Sequence, residues 1–332
     1  METAVTRSAR NRLLTTGTTT WLGYRRLVPS VVVEGLQKSY GPLRAVDGVT
    51  FAVERGEVFA LLGPNGAGKT TSIEILEGFR HRDGGRVEVL GVDPGDRRVQ
   101  RAFRTRIGVV LQELAVEEYF TVRQVLTRSA GFYPSPRPVD EVIDLIGLAE
   151  KADAKVKTLS GGQQRRLDVG LGIVGRPELL FLDEPTTGLD PAGRRVSWDL
   201  VRQLADEGTT VLLTSHYMDE VEALASRVVV IAQGRVVASG TPASIGGRDV
   251  SEATITFAVP DGVTVADVPV PATERAGQVE VRTADEVAVL HRLTGWALDR
   301  GVALGGLRVN RRTLEDVYLD LVGDRPAVEE GS

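Results

Sequence analysis

The sequence predicts an α/β chain: a mainly parallel sheet covered by helices on both faces, then a small α+β unit. Three observations carry this. From Val31 onward, β-branched or alternating runs bounded by glycine turns recur: VVVEGLQKSY, VTFAVERGEVFALLG, GRVEVLGV, ELLFLDEP, TTVLLTSH and RVVVIAQGRVVASG. Segments of helical spacing separate them, and strands alternating with helices of ~10–15 residues call for crossover connections that lay helices on the sheet. After about Ser251 the pattern weakens into short strands and two helices.

In chain order, residues 1–29 are rich in Thr and Arg, have no sustained period, and carry five arginines against one glutamate, a charge of +4. Such a segment buries too little to order itself, so it is expected to be a disordered extension or the product of a start assigned too early, with a targeting role as the lesser alternative. KTTSIEILEGF is expected to be helical through Ile73, Leu76 and Phe79, and GVVLQE to end a strand. Residues 113–158 turn helical and charged, with PSPRP interrupting at 134–138, and a helical subdomain is placed at about 113–168. The main domain is set at 30–250, an accessory α+β domain at 251–323 and a tail at 324–332. In the accessory domain EATITFAV, QVEVRT and LGGLRVN read as strands and DEVAVLHRLTGWALDRG as a helix. TLEDVYLDLVG puts Leu314, Val317, Tyr318 and Leu321 at i, i+3, i+4 and i+7, one helix face. A unit of roughly 70 residues is marginal alone, so it is expected to pack on something.

Composition closes several classes. The net charge of −5, which leaves −9 outside the first 29 residues, argues against a general nucleic-acid binder. With no cysteine, disulfides and thiolate metal sites are excluded. No apolar run approaches the ~18 residues of a membrane span.

The chemistry begins at Gly63-Pro64-Asn65-Gly66-Ala67-Gly68-Lys69-Thr70, with Thr71 following. It fits G-x-x-x-x-G-K-[ST] and lies between a strand and a helix, where that loop works. Glycines let backbone amides turn toward a phosphate, the helix start adds its positive dipole end, and Lys69 can reach the β- and γ-phosphates. The Thr70 hydroxyl suits Mg²⁺. LLFLDEP supplies the partner: a buried strand ending in Asp183, which can hold the metal through water, and Glu184, which can act as general base. About ninety residues after the loop, LSGGQQRRLDVG forms a second glycine-rich helix opening.

Taken together and in order, these motifs resemble the nucleotide-binding subunit of an ABC transporter, over residues 31–245. LSGGQ is that family's signature, GVVLQE its glutamine loop at Gln112, TTGLDP its D-loop with Asp190, LLTSHYMDE its switch histidine at His216, and KSYGPLRAV places Tyr40 where the family stacks a ring on adenine. The resemblance implies ATP and Mg²⁺ as ligands. It implies that Ser160, Gly161, Gly162 and Gln163 present a hydroxyl and amides to the γ-phosphate of ATP on a facing subunit, so that a homodimer closes around two ATP. Gln112 is implied to sense Mg²⁺ and the attacking water, and His216 to touch the γ-phosphate and hold Glu184. With no span in this chain, a separate membrane permease is implied, and with it a peripheral place on the cytoplasmic membrane face.

The ending TLEDVYLDLVG after a weak α+β unit is similar to the daunorubicin-resistance type of exporter ATPase, which implies export of a drug or other hydrophobic metabolite, with lipid or polysaccharide export or a non-transport regulatory ATPase as alternatives. The accessory domain is expected to add to the dimer contact. Other classes fit less well. A translation factor of this superfamily carries two cassettes, and a chromosome-maintenance ATPase inserts a long coiled coil, whereas residues 70–159 show no sustained heptads. A GTPase needs an Asn-Lys-x-Asp guanine reader, and Asn11, Asn65 and Asn310 are the only asparagines.

Overall fold

The computed structural model describes residues 28–110, 118–260 and 262–323. The N-terminal extension up to residue 27, Gln112 and the tail from 324 lie outside the described residues.

The chain opens with β1 (Val31–Tyr40) and β2 (Leu43–Val53), joined across a tight turn at Gly41, then enters β3 (Val58–Leu62) and α1 (Lys69–Leu76). β4 (Gly84–Val89), α2 (Gln100–Arg104) and β5 (Ile107–Val110) follow. The helical stretch is α3 (Val122–Ala130), α4 (Val139–Leu145) and α5 (Gly161–Ile173). Then come β6 (Leu179–Asp183), α6 (Pro191–Asp206), β7 (Thr210–Thr214), α7 (Met218–Leu224), β8 (Arg227–Ala232) and β9 (Arg235–Gly240).

The central sheet has the order β5-β6-β7-β3-β8-β9, parallel except for β9. Every residue of β3 and β7 is buried, as parallel strands covered on both faces must be. The two-residue period divides the sheet's side chains between two cores. Phe59, Leu61, Phe181, Leu212, Val229 and Ile231 enter one, while Ala60, Leu62, Leu180, Leu182, Leu213 and Val230 enter the other.

One face departs from expectation. β1, β2 and β4 do not extend the parallel sheet. They form a separate antiparallel sheet, β2-β1-β4, which shares the Phe59 face with α1 and α2. The short Gly41 turn permits only antiparallel pairing of β1 with β2, since parallel neighbours need a long crossover. The alternating burial of Val31, Val33 and Leu36 is that of a sheet with one core face. Phe51 stacks on Phe59 at 5.2 Å between ring centroids and joins the two sheets.

The other face is helical. Thr121 caps α3 in a box with Gln124, Pro138 precedes the first turn of α4 so that PSPRP is the connection between the two, and α5 runs to Ile173, past the expected end near 168.

The accessory unit is a sheet of order β11-β12-β10-β13, made of β10 (Ala253–Ala258), β11 (Thr273–Arg275), β12 (Gln278–Thr283) and β13 (Arg308–Asn310), with α8 (Glu286–Arg300) packed on it. β11 was not expected from the sequence, because three polar residues carry no apolar alternation. α9 (Leu314–Gly323) leaves this sheet and returns to the main core, where Leu314 and Val317 are buried beside Val221 and Leu224 of α7 and Ile245. Tyr318 and Leu321 cover the same core, so the expected apolar face is the packed one. Arg248 fastens the join, pairing with Glu222 at 2.8 Å and donating to the Arg312 carbonyl at 2.9 Å. Among the described residues no helix is long and apolar enough to cross a membrane.

Leu314→Ala is expected to cost about 2–4 kcal/mol in urea unfolding, the range for emptying a buried leucine site. Leu319→Ala, at an exposed position on the same helix, is expected to stay within about 0.5 kcal/mol. Equal costs at the two sites would contradict the packing.

Candidate nucleotide site

β3 delivers the chain into the glycine loop at the C-terminal end of the parallel sheet, and α1 carries it away. The loop is pressed between neighbouring strands. A side chain at Gly63 would drive into the Ile231 carbonyl, and one at Gly68, where φ is +99°, into the Ala45 carbonyl. Ala67 is buried, Pro64 and Thr71 are half-buried, and Asn65, Gly66 and Thr70 face solvent. Lys69 arches over its own loop, its Nζ donating to the carbonyls of Gly63 at 2.6 Å and Pro64 at 3.0 Å. Burial holds the ammonium below the ordinary lysine range, while the carboxylates of Glu184 and Asp183 work in the opposite direction. A cation held over a glycine loop at a helix start suits a polyphosphate.

The acids stand at the end of β6, beside β7. Asp183 pairs in register with Thr214, whose hydroxyl donates to Asp183 Oδ1. Glu184 turns away in a left-handed conformation, φ +48°, uncommon for a residue with a Cβ. Its amide donates to the Thr214 carbonyl at 3.1 Å. Its carboxylate is held at both oxygens: His216 Nδ1 is 3.3 Å from Oε1, and the Thr187 hydroxyl donates to Oε2 at 3.2 Å. A histidine and a hydroxyl that hold both oxygens of one carboxylate fix its orientation, the geometry a general base would need.

The residues suit Mg²⁺ brought in with a nucleotide. Among the described residues no cluster of three or more His, Cys, Asp or Glu forms a cage for a metal ion. Asp183 has one oxygen engaged by Thr214 and no hydrogen bond on the other among the described residues, and Thr70 offers an exposed hydroxyl. Few protein ligands, the rest being phosphate oxygens and waters, is the pattern Mg²⁺ adopts.

The structure thus brings Lys69, Asp183, Glu184 and His216 together around the loop. It does not bring the second glycine opening to them. Ser160 caps α5 in a box: its hydroxyl accepts from the Gln163 amide at 3.3 Å, and the Gln163 side chain accepts from the Ser160 amide at 2.9 Å. Ser160 and Gly161 are exposed, and among the described residues no hydrogen bond joins Ser160–Gln163 to Gly63–Thr71. Asp190 serves its own chain as the cap of α6, accepting from the Gly193 amide at 2.8 Å. Tyr40 ends β1, partly exposed, with the Arg80 guanidinium 5.3 Å and the Lys38 ammonium 5.7 Å from its ring centre. Gln112 lies outside the described residues.

Three features were missed in the sequence. Arg165 of α5, buried, donates to the carbonyls of Asp183 at 2.6 Å, Glu184 at 3.0 Å and Pro185 at 3.1 Å. Its bonds to the site go to backbone, and the residue-type signal that could have marked it is Asp168, three residues on, with which it pairs at 3.0 Å. Tyr217 packs on His216 at 3.9 Å between ring centres and takes the Arg194 guanidinium 4.4 Å from its own, linking His216 to α6. Glu77 at the end of α1 is buried, and burial, then the charges of Asp183 and Glu74, push its carboxyl up to about 8.

Comparison with known proteins assigns the chain to a family. Residues 46–187 match the ABC transporter family, and residues 253–313 match the C-terminal domain of ABC transporter domain-containing proteins. The chain belongs to the ABC transporter ATP-binding proteins, a family of ATP-hydrolysing, nucleotide-binding subunits. It is 39% identical to the daunorubicin resistance ATP-binding protein DrrA2 of Streptomyces coeruleorubidus, over 89% of this chain and 96% of that protein. It is also 39% identical to the Nod factor export ATP-binding protein I of Burkholderia pseudomallei (strain 1710b), over 89% and 98%. The ADP conformation of the ATP-binding cassette MJ1267 superposes with a TM-score of 0.57 at 26% identity, over 64% of this chain and 91% of that one.

Two outcomes follow from the site. Lys69→Ala is expected to lower ATP turnover by at least about a hundredfold, since it removes the only cation placed on the loop among the described residues; a tenfold or smaller loss in a phosphate-release assay would contradict the assignment. Glu77, raised from 4.5 to about 8, keeps its proton in the folded state at pH values where the unfolded chain has released it. Its stabilising effect is therefore complete below about pH 4.5 and is lost as pH rises toward 8. Glu77→Gln is expected to gain melting temperature over the parent progressively from pH 5 to pH 8, without nucleotide or Mg²⁺. A difference independent of pH would contradict the shift.

Proposed function

We propose that two copies of this chain close head to tail around two MgATP molecules and drive export through a separate membrane permease, from the cytoplasmic face of the membrane. One observation carries the reading. The capping box accounts for the amides of Ser160 and Gln163, which leaves those of Gly161 and Gly162, at a helix start that is exposed at Ser160 and Gly161, without an acceptor among the described residues. Two free amides at the positive end of a 13-residue helix form an anion receptor, and the chain's own cradle lies elsewhere. A second copy, related by a two-fold axis, supplies the missing triphosphate, and the same contact made twice closes the assembly.

In the closed site the Glu184 carboxylate takes a proton from water as its oxygen bonds to the γ-phosphorus and the bond to the β–γ bridging oxygen breaks, releasing ADP and phosphate. Lys69 and the opposing amides of Gly161 and Gly162 face the charge on the phosphoryl oxygens. His216 and Thr187 keep the carboxylate in one orientation. Mg²⁺, held by Thr70, Asp183 and Gln112, would neutralise charge shared by the β- and γ-phosphates. Tyr40 would stack on the adenine, and Asp190 would lie at the seam between copies.

The exported cargo in this reading is a drug or other hydrophobic metabolite, supported by similarity to a daunorubicin resistance protein that extends through the accessory domain. Export of a lipid or glycan is the second reading, favoured by equal identity to a Nod factor export protein. Because α9 spends its apolar face on its own chain, the accessory domain's share in the dimer contact falls to its sheet and α8.

Glu184→Gln keeps the shape of the base but not its charge, so ATP should bind and persist. Size-exclusion chromatography with MgATP is expected to show this variant as a dimer that ADP does not support. A monomer at every ATP concentration would overturn the paired arrangement.

A further inference from the structure

The turn that presents Glu184 is built against its own preference. A non-glycine residue at φ +48° is uncommon and persists only when its surroundings over-determine it. Thr214 supplies part of the restraint, through the register of β6 with β7 and the bond from the Glu184 amide. The remainder comes from the opposite side. Arg165 spans three consecutive carbonyls, with one Nη on Asp183 and Glu184 and its Nε on Pro185, while its other Nη pairs with Asp168 at 3.0 Å. Asp168 sits one turn further along the same helix and is buried, and burial pushes its carboxyl up while Arg165 draws it down. A planar fork that also pairs with a carboxylate on its own helix is held in one orientation, which ties the carbonyls it grips to that helix.

That helix is α5, whose first turn is Ser160–Gln163. Arg165 therefore lies little more than one turn from the tip. We propose that Arg165 is a positioning residue for hydrolysis: it locks the backbone of Glu184 to the signature helix, so that a γ-phosphate seated on Gly161 and Gly162 fixes the general base of the chain that donates those amides. The part concerning Glu184 stands on this chain alone; the link to a γ-phosphate rests on the paired reading. Each copy then contributes to both sites, its amides to the partner's ATP and its oriented base to its own.

The test uses the full-length chain. Arg165→Ala is expected to lower kcat at least about tenfold with KM for MgATP changed less than about threefold, and Arg165→Lys, which restores a donor without the fork, is expected to recover part of the loss. The same substitution is then made in Glu184→Gln and followed by single-turnover release of radiolabelled phosphate. With the base already absent, Arg165→Ala is expected to change the residual rate less than about twofold, because interactions that act through one group are not additive. A loss in Glu184→Gln as large as that in the parent overturns the proposal, as does an unchanged kcat in Arg165→Ala. Should Arg165→Ala leave Asp168 unable to pack, the paired variant Arg165→Gln with Asp168→Asn, which removes both charges, is held to the same criteria. Dimer formation by Glu184→Gln with ATP, with and without Arg165→Ala, separates the two claims. No dimer in either refutes the pairing. A dimer in both, with additive rate losses, refutes the role of Arg165.

Discussion

The bend at the end of β6 is the constraint on which the site depends. Asp183 must stay in register with Thr214, while Glu184, one residue later, must leave the sheet with a left-handed backbone. No local preference of glutamate favours that geometry, so it has to be imposed by neighbours. They come from three directions: β7 through Thr214, α5 through Arg165, and the segment after β7 through His216. The close packing of the parallel strands makes this possible, because apolar residues bury both faces of β6 and leave only its end free for polar work.

The two glycine-rich openings differ in what they do with their amides. At Gly63–Thr71 the loop wraps around Lys69, and tight approaches to β2 and β8 leave no room for side chains at Gly63 and Gly68. At Ser160–Gln163 a capping box satisfies two amides, and the glycines leave two more without an acceptor among the described residues. In the proposed pairing the first holds its own chain's triphosphate, and the second is the part that a symmetric partner would use to finish that site.

Much of the site was legible in the sequence because its parts announce themselves by residue type. A glycine loop before Lys69, two acids after an apolar run and a histidine after a third strand each carry their chemistry in the side chain, and the structure gathers Lys69, Asp183, Glu184 and His216 around one loop. The apolar face of α9 was legible for the same reason, since Leu314 and Val317 recur at helical spacing. What escaped acts through the backbone or through distant partners. Arg165 binds carbonyls, which every residue has. The split of β1, β2 and β4 into their own sheet is set by the Gly41 turn and by alternating burial, a signal that competes with the stronger strand–helix rhythm downstream. β11 is polar and short, and pairs only because β12 offers an edge.

The central claim is that the tip of one copy completes the cradle of another. Mixing two inactive chains tests it most directly: one with Lys69→Ala, whose tip is intact, and one with Gly161→Asp, whose cradle is intact but whose tip repels phosphate. A mixed pair contains one site with both parts whole, so ATP turnover should reappear on mixing, up to about a quarter of the parental rate for random pairing. If the mixture is as inactive as its components while heterodimers are present, each tip serves its own chain or none, and the account fails.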